Sequence, residues 1–369
     1  MRAEVTFRQA EQEIVALCHS GLDSVALRRA VMRTLKKAMP FDAWCMGSID
    51  PDTLLITSEV SEGIPNFAFA LAAENEYLIN DVNKFNVLAR SNTRTGVLSQ
   101  ATNNVPQSSH RYERVMSTIG AVHELRSVFV SDHECWGGVT IFRTADLPDF
   151  STDESKLLSR LSTQLGQAFR LALLVDQRAS AIQDKGLGLI VLGDNGQVEG
   201  INSSAQAWLA DLVEPNFRIP EGWLPAPIHE VAMRARAITG MLGEGISPND
   251  VQARLRVRTY SGQWVTLHGS HVIGTKPGAS QTAVIIERAH SSQIAGLLML
   301  AYDLTMRERE VLQGVLKGLV TKEIAHVLHM STNTVQDHLK SIFDKVGVHS
   351  RGELIARVLG EYYFQHFGA

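Results

Sequence analysis

Cysteine is scarce in this sequence: three residues (Cys18, Cys45 and Cys135), far apart in a chain of 369. That number and spacing exclude a disulfide framework and a zinc knuckle. Long apolar runs are missing too. The longest, about Ala295–Tyr302, falls far short of the roughly 20 residues that span a bilayer. No charge of one sign dominates, since 35 Lys and Arg stand against 39 Asp and Glu for a net charge of −4, so overall charge gives no sign of nucleic acid. The opening Met1-Arg-Ala-Glu-Val5 is too acidic and polar for a secretory signal. These absences point to a cytoplasmic protein with no membrane partner.

Catalytic signatures are equally hard to find. His-Glu pairs begin at His123, His133 and His229, but Ser127, Gly137 and Met233 stand where a zinc protease needs its second histidine. Gly186-Leu-Gly188 lacks the third glycine of a dinucleotide turn. Asn83-Lys84, Phe150 and Asp153-Glu154 contain the residue types of a cyclic-nucleotide motif at the wrong separations. Residues 1–290 contain no catalytic constellation, so the chain is read as a non-enzyme with no cofactor and no metal. Cys45 and Cys135 have no adjacent cation to favour the thiolate and are expected to be inert. Trp44 and Trp136 are the residues to line a small-molecule pocket, although such aromatics also serve as plain core.

What is present is organised in blocks. Hydrophobic residues make up 44% and charged residues 20%, a folded composition, and the length suits two or three domains. The first block, 10–176, mixes helix and strand. Helical patterns flank Ser20-Gly21, Ala43–Glu59 reads as strand–turn–strand around Asp50-Pro-Asp52, and Leu125–Asp132 with Cys135–Arg143 reads as a strand pair. Ser151 and Glu154 have capping-box spacing at the start of a long helix. In that helix Leu158, Leu161, Leu165, Ala168, Ala172, Val175, Ala179 and Ile182 alternate steps of three and four. The stripe suits either a dimer seam or packing on the domain's own sheet, and helix 152–184 is expected to be a signalling and dimerisation linker. A second block, 186–290, reads as two strands around Asp194-Asn-Gly196, helices, then three strands.

The last block, 297–369, reads as four helices. Thr305-Met-Arg-Glu308 is a capping box, Gly318 suits a left-handed stop, Thr321 is the expected cap of a short helix, and Ser331 caps the next. Two short helices joined by a tight turn form a helix-turn-helix pattern. In the second of them Val335, Leu339, Ile342 and Val346 form the stripe to be buried. Asn333, Gln336, Asp337, Lys340 and Asp344 stand opposite. Gln336 matches adenine N6/N7, Asp337 matches cytosine N4, and Lys340 matches guanine O6/N7 or phosphate. Thr332, Asn333 and Thr334, at the helix start, are placed for phosphate.

Leu304-Thr-Met-Arg-Glu-Arg-Glu-Val-Leu312, Gly318-Leu-Val-Thr-Lys-Glu-Ile-Ala325 and Ser331-Thr-Asn-Thr-Val-Gln-Asp-His-Leu-Lys340 strongly resemble the LuxR-type DNA-binding domain, and Lys345-Val-Gly-Val348 and Arg351-Gly-Glu-Leu354 continue the match. The resemblance implies a four-helix transcription-factor domain whose fourth helix often dimerises. It implies a helix-turn-helix over Thr321 to Lys340, base contacts by Gln336, Asp337 and Lys340, and backbone contacts by Lys322, Thr334 and His338. The sequence departs from the commonest family pattern at Val320, usually Ser or Thr, and at Gln336, usually Lys. Gly120–Arg126, Cys135-Trp-Gly-Gly-Val139 and Phe150–Glu154 resemble a GAF-type sensor, and Leu187–Leu192, Asp194-Asn-Gly196 and Asn202-Ser-Ser-Ala205 resemble a PAS-type one. The expected class is therefore α+β multidomain, GAF-like and PAS-like sensors before an all-α DNA-binding domain.

Double-stranded DNA, a second copy of the chain, RNA polymerase and an unidentified small molecule are the implied partners. Residues 293–369 carry eight basic and eight acidic residues, so one copy gains little from phosphate attraction and a dimer on two half-sites would compensate. Two other readings compete, a protein-interaction scaffold and a sensor enzyme with a regulatory tail.

Overall fold

A computed structural model describes residues 2–175, 185–214, 217, 219–220, 222–241, 252–274 and 279–363. The chain divides into two compact units, Met1–Arg288 and Ala289–Ala369. No helix among the described residues is long and apolar enough to cross a membrane.

The first unit opens with α1 (Arg2–Cys18) and α2 (Ser24–Ala38), then β1 (Ala43–Ile49) and β2 (Ile56–Glu62). Four short helices follow around a brief strand: α3 (Phe67–Leu78), α4 (Phe85–Arg90), β3 (Thr95–Val97), α5 (Leu98–Ala101) and α6 (His110–Arg114). A hairpin, β4 (His123–Ser131) and β5 (Glu134–Arg143), leads into α7 (Thr152–Val175). The five strands form one antiparallel sheet in the order β2-β1-β5-β4-β3. The same unit contains a second sheet, from β6 (Gly188–Gly193), β7 (Val198–Ile201), α8 (Ser203–Asp211), α9 (Ala226–Met241), β8 (Arg254–Arg258), β9 (Trp264–Val272) and β10 (Gln281–Arg288). Its order is β7-β6-β10-β9-β8, so both sheets repeat one topology: second, first, fifth, fourth, third.

The long helix settles the meaning of its stripe. Leu158, Leu161, Leu165, Ala168 and Ala172 are all buried within the chain, and α7 lies along β4 and β5. Ser162 Oγ donates to Val128 O at 2.7 Å and accepts from Val130 N–H at 3.2 Å, fastening the helix to β4 at its bulge. Gly166 permits the close approach, because a Cβ there would sit 2.9 Å from the Val130 carbonyl carbon. The expectation of a dimer seam is thus corrected at these five positions. Their three-and-four spacing serves the helix's own sheet, which needs the same apolar stripe as a coiled-coil partner would. Val175, Ala179 and Ile182 lie outside the residues whose side chains are described. Ser151 and Glu154 form the expected cap, and Glu154 also pairs with buried Arg143 at 2.6 Å.

The two sheets are joined through the β1–β2 turn. Leu55 is fully buried in the second sheet's core with Trp208, Ile228, Val231 and Leu255. Asp50 receives a bidentate bond from Arg256 of β8, at 2.7 and 2.8 Å, with both side chains almost wholly buried.

The second unit contains α10 (Ser291–Ala301), α11 (Met306–Leu316), α12 (Thr321–Val327), α13 (Thr332–Val346) and α14 (Arg351–Tyr363). The four expected helices are α11 to α14. A fifth, α10, precedes them, and its Ala295 and Met299 enter their common core. The expectation of four helices from residue 297 is corrected accordingly: residues 295–301 of the apolar run belong to a helix that covers this core.

Because Leu165 is fully buried against the chain's own sheet, Leu165→Ala is expected to lower unfolding stability by about 2–5 kcal/mol, read as a lower urea midpoint. A midpoint unchanged from the parent protein would show that the helix surface is free.

Candidate nucleic-acid interface

Local chemistry builds the interface from its turns. Thr305 caps α11 by accepting from Glu308 N–H at 3.3 Å, while the Glu308 carboxylate accepts from Thr305 N–H at 2.7 Å. Gly318, at φ +80°, ends α11 in the left-handed conformation, where an L side chain is strained. The next cap differs from expectation. The N-cap of α12 is Val320, and Thr321 is the first helical residue. Valine has no side-chain acceptor, so only half of a capping box remains: Glu323 accepts from Val320 N–H at 2.8 Å. Ser331 caps α13 as expected, accepting from Thr334 N–H at 3.0 Å.

The two faces of α13 are divided as the spacing predicts. Val335, Leu339, Ile342 and Val346 are buried in a core shared with Val311, Leu312, Val315, Ile324, Leu354 and Val358. Thr332, Asn333, Thr334, Gln336, Asp337, Lys340 and Asp344 are exposed, and His338 is half-buried. On α12, Lys322 is exposed. Among the described residues, Gln336, Asp337 and Lys340 have no hydrogen-bond or ion-pair partner within the chain. Their positions are i, i+1 and i+4, which puts them on one helical surface with Asn333 one turn earlier. The face therefore presents an amide, a carboxylate and an ammonium with their bonding capacity unspent.

One buried carboxylate orients this helix. Glu308 on α11 is 4% exposed. It accepts from Ser341 Oγ at 2.6 Å and from Lys345 Nζ at 2.7 Å, both on α13. Lys345 also donates to Asp303 O at 2.9 Å. Burial alone would raise the Glu308 pKa, but the bonds from Lys345, Ser341 and Thr305 outweigh it and bring the pKa down to about 2. Sequence reasoning found Glu308 only as a cap. Its second role needs Ser341 and Lys345 on the inward edge of α13, which helical spacing alone does not pair with α11.

Charge is redistributed by these contacts. Lys345 is bound to Glu308, Arg307 to Glu310, Arg309 to Leu304 O, and Arg351 to Leu319 O. Exposed Lys317, Lys322 and Lys340 remain without such partners among the described residues. A formally neutral module can thus still offer lysines to phosphate.

The sensor-pocket residues fare differently. Trp44 on β1 pairs with Ile141, on the sheet face with Val139 and with Gly137, whose α-carbon lies under Phe169 of α7. Trp136 lies at the β4–β5 bulge, next in sequence to Cys135, which packs with Phe85 and Leu88. Five residues of β5 separate Trp136 from Ile141, about 17 Å at strand spacing. Both indoles are buried, and the structure does not bring them together. Strand register sets this separation, since Trp44 stands opposite Ile141 and not opposite Trp136. Burial pushes the thiols up, Cys18 to about 11 and Cys135 to about 12, and burial with the nearby Glu59 holds Cys45 well above its ordinary value.

The model of the bacterial regulatory proteins of the luxR family matches residues 303–358. The spore germination protein GerE of Bacillus subtilis is 39% identical over 56 residues, which are 15% of this chain and 76% of that protein. The uncharacterized response regulatory protein YgeK of Escherichia coli is 46% identical over 57 residues, covering 15% of this chain and 39% of that protein. This chain thus spans about two fifths of the length of YgeK, and its matches to curated relatives lie in this C-terminal region. Among solved structures, Escherichia coli SdiA aligns over 96% of this chain and 98% of its own, at 11% identity and a TM-score of 0.37.

Glu308 yields a signed expectation. Its pKa in the fold lies below the ordinary 4.5, so its stabilising contribution is complete above pH 4.5 and is lost as pH falls towards 2. Glu308→Gln is expected to cost about 1.5–3 kcal/mol near pH 7 and to flatten the acid limb of the unfolding profile. Urea titrations from pH 7 to pH 3 check this; parallel acid limbs for both proteins would contradict it.

Proposed function

We propose, because this chain belongs to the luxR family of bacterial regulatory proteins, that it is a sequence-specific, DNA-binding transcriptional regulator governed by the unit that precedes its helix-turn-helix. The observation that carries the reading is the unsatisfied polar face of α13, set on a helix whose opposite face is fully buried. A major groove about 12 Å wide admits such a helix, and its base edges offer the complementary donors and acceptors. In this reading Gln336, Asp337 and Lys340 contact bases. Lys322, Thr332, Asn333, Thr334 and His338 hold the sugar-phosphate backbone. Val320, which replaces the usual hydroxyl, removes one potential phosphate contact and weakens non-specific attachment.

The two sheet modules, 10–176 and 186–290, are GAF-like and PAS-like sensors in this account, followed by the DNA-binding domain 297–369. Their shared strand order supports a common ancestry of design, and folds of both kinds enclose small-molecule pockets. The regulator acts in the cytoplasm as a homodimer on two half-sites, answers an unidentified small molecule or stress, and communicates with RNA polymerase. Dimerisation is needed on physical grounds, since one module with few free lysines binds phosphate weakly and a tethered second copy raises effective concentration. The dimer surface is not the stripe Leu158 to Ala172, which the chain's own sheet occupies. In this reading α14 supplies the dimer surface, as the family resemblance implies.

The full-length protein, offered a random duplex pool, is expected to enrich a dyad sequence. On that duplex Gln336→Ala with Lys340→Ala should lose roughly 10- to 100-fold in preference over random DNA while keeping parental helicity. Lys322→Ala should weaken all duplexes alike and reduce the salt slope by about 1. Retained preference in the double variant would refute the assigned face, and failure of the parent to enrich any duplex would favour a protein-binding scaffold.

A further inference from the structure

A carboxyl without a cation of its own sits where the two sheets of the first unit meet. Glu230 on α9 is 4% exposed. Its Oε2 accepts from the Tyr77 hydroxyl of α3 and from Ile56 N–H of β2, the latter at 3.2 Å. These bonds tie one helix of the second sheet to a strand and a helix of the first. Among the described residues, no lysine, arginine or histidine pairs with it.

The surrounding groups do not supply the missing charge. From α3, Glu76 faces Glu230 but is itself paired with Arg126 of β4 at 3.0 Å. The Arg126 charge, already engaged by Glu76, also acts on Glu230 in favour of its ionised form without outweighing burial. From β2, Glu59 faces it, with Glu59 Oε2 3.6 Å from Cys45 Sγ of β1. Arg28 of α2 lies near Glu59 and donates to Met46 O and to Ser58 O and Oγ. Arg234, on α9, lies near Tyr77. The junction thus gathers three carboxyls, of which only Glu76 has a direct cation among the described residues. An ionised, buried and uncompensated carboxylate is costly, so the group retains its proton instead. Burial lifts Glu230 to about 7 against its two hydrogen bonds, and burial together with Glu230 lifts Glu59 to about 8.

We propose that Glu230 is a proton-operated clasp between the first sheet and α9. With the carboxyl neutral, the Tyr77–Glu230–Ile56 bridge is closed. When it releases its proton to solvent, the charge is left in a buried junction beside Glu76 with no cation paired to it, and the bridge loosens. The buried Arg256–Asp50 pair keeps the sheets tethered meanwhile. The sign follows from linkage. An opened carboxyl titrates near the ordinary 4.5 and the closed one near 7, so closure is fully favoured below pH 4.5 and loses that advantage as pH rises to 7. Glu59 extends the window towards 8. Acidification tightens the junction. The inference rests on unit Met1–Arg288 alone and stands or falls independently of DNA binding.

Hydrogen–deuterium exchange on the full-length chain at pH 5.5 and pH 8.5, with rates corrected for the intrinsic pH dependence of exchange, tests it. Protection of 55–62 and 226–235 is expected to fall about tenfold or more at the higher pH. Glu230→Gln, a permanently neutral acceptor, should keep protection at both. Equal loss in both proteins, or no loss in the parent, would overturn the clasp. Should Glu230→Gln fail to fold, infrared spectra of the parent and Tyr77→Phe decide the matter. A band of a protonated buried carboxyl should fade between the two pH values, with its midpoint moved upwards in Tyr77→Phe. A band absent at pH 5.5, or a midpoint that Tyr77→Phe leaves unmoved, would overturn it.

Discussion

The constraint on which the DNA-binding unit depends is the division of α13 into two faces that must serve opposite ends. Its aliphatic stripe, Val335, Leu339, Ile342 and Val346, is taken out of water by four other helices. The same rotation leaves Asn333, Gln336, Asp337 and Lys340 in solvent. Rotating the helix by one residue would expose the stripe and bury a carboxylate and an ammonium without partners, which is prohibitive on both counts. Glu308 removes the remaining freedom, since bonds to Ser341 and Lys345 fix α13 about its axis and along it. Recognition geometry is therefore a by-product of core packing and one buried ion pair.

A different solution governs the first unit. Its two sheets share a topology but not a simple serial arrangement, because Leu55 from the β1–β2 turn completes the second core. The junction around it is polar and buried, combining the Arg256–Asp50 ion pair with the cation-free Tyr77–Glu230 bridge. Such polar contacts give little net stability, yet removing one partner is expensive, so they specify arrangement more than they add strength. A unit built this way responds as a whole to a change at its junction. That differs from a message carried along α7, whose stripe is committed to its own sheet from Leu158 to Ala172.

Much of this was legible in the residues. Helix-turn-helix periodicity, the caps at Thr305 and Ser331 and the hairpin at Asp194-Asn-Gly196 are local, and local rules place them. Most of the misses are non-local. An apolar stripe on α7 has the same spacing whether a sheet or a second helix covers it, so only the fold decides. Trp44 and Trp136 sit on strands that pair, but the register sets Trp44 opposite Ile141, five residues along β5 from Trp136, and local spacing does not give that register. Val320 as an N-cap defies propensity because Glu323 and the surrounding packing complete the turn. The partnerships of Glu308 with Lys345, Asp50 with Arg256 and Glu230 with Tyr77 span 37, 206 and 153 residues. No spacing rule reaches that far.

The central claim is that the exposed face of α13 reads base edges in the major groove. Dimethyl sulfate interference on an enriched duplex tests it most directly, because that reagent marks guanine N7 in the major groove and adenine N3 in the minor. The account predicts loss of binding when guanine N7 is methylated within each half-site, with adenine N3 methylation tolerated there. Binding indifferent to guanine N7 and abolished only by adenine N3 methylation would contradict it.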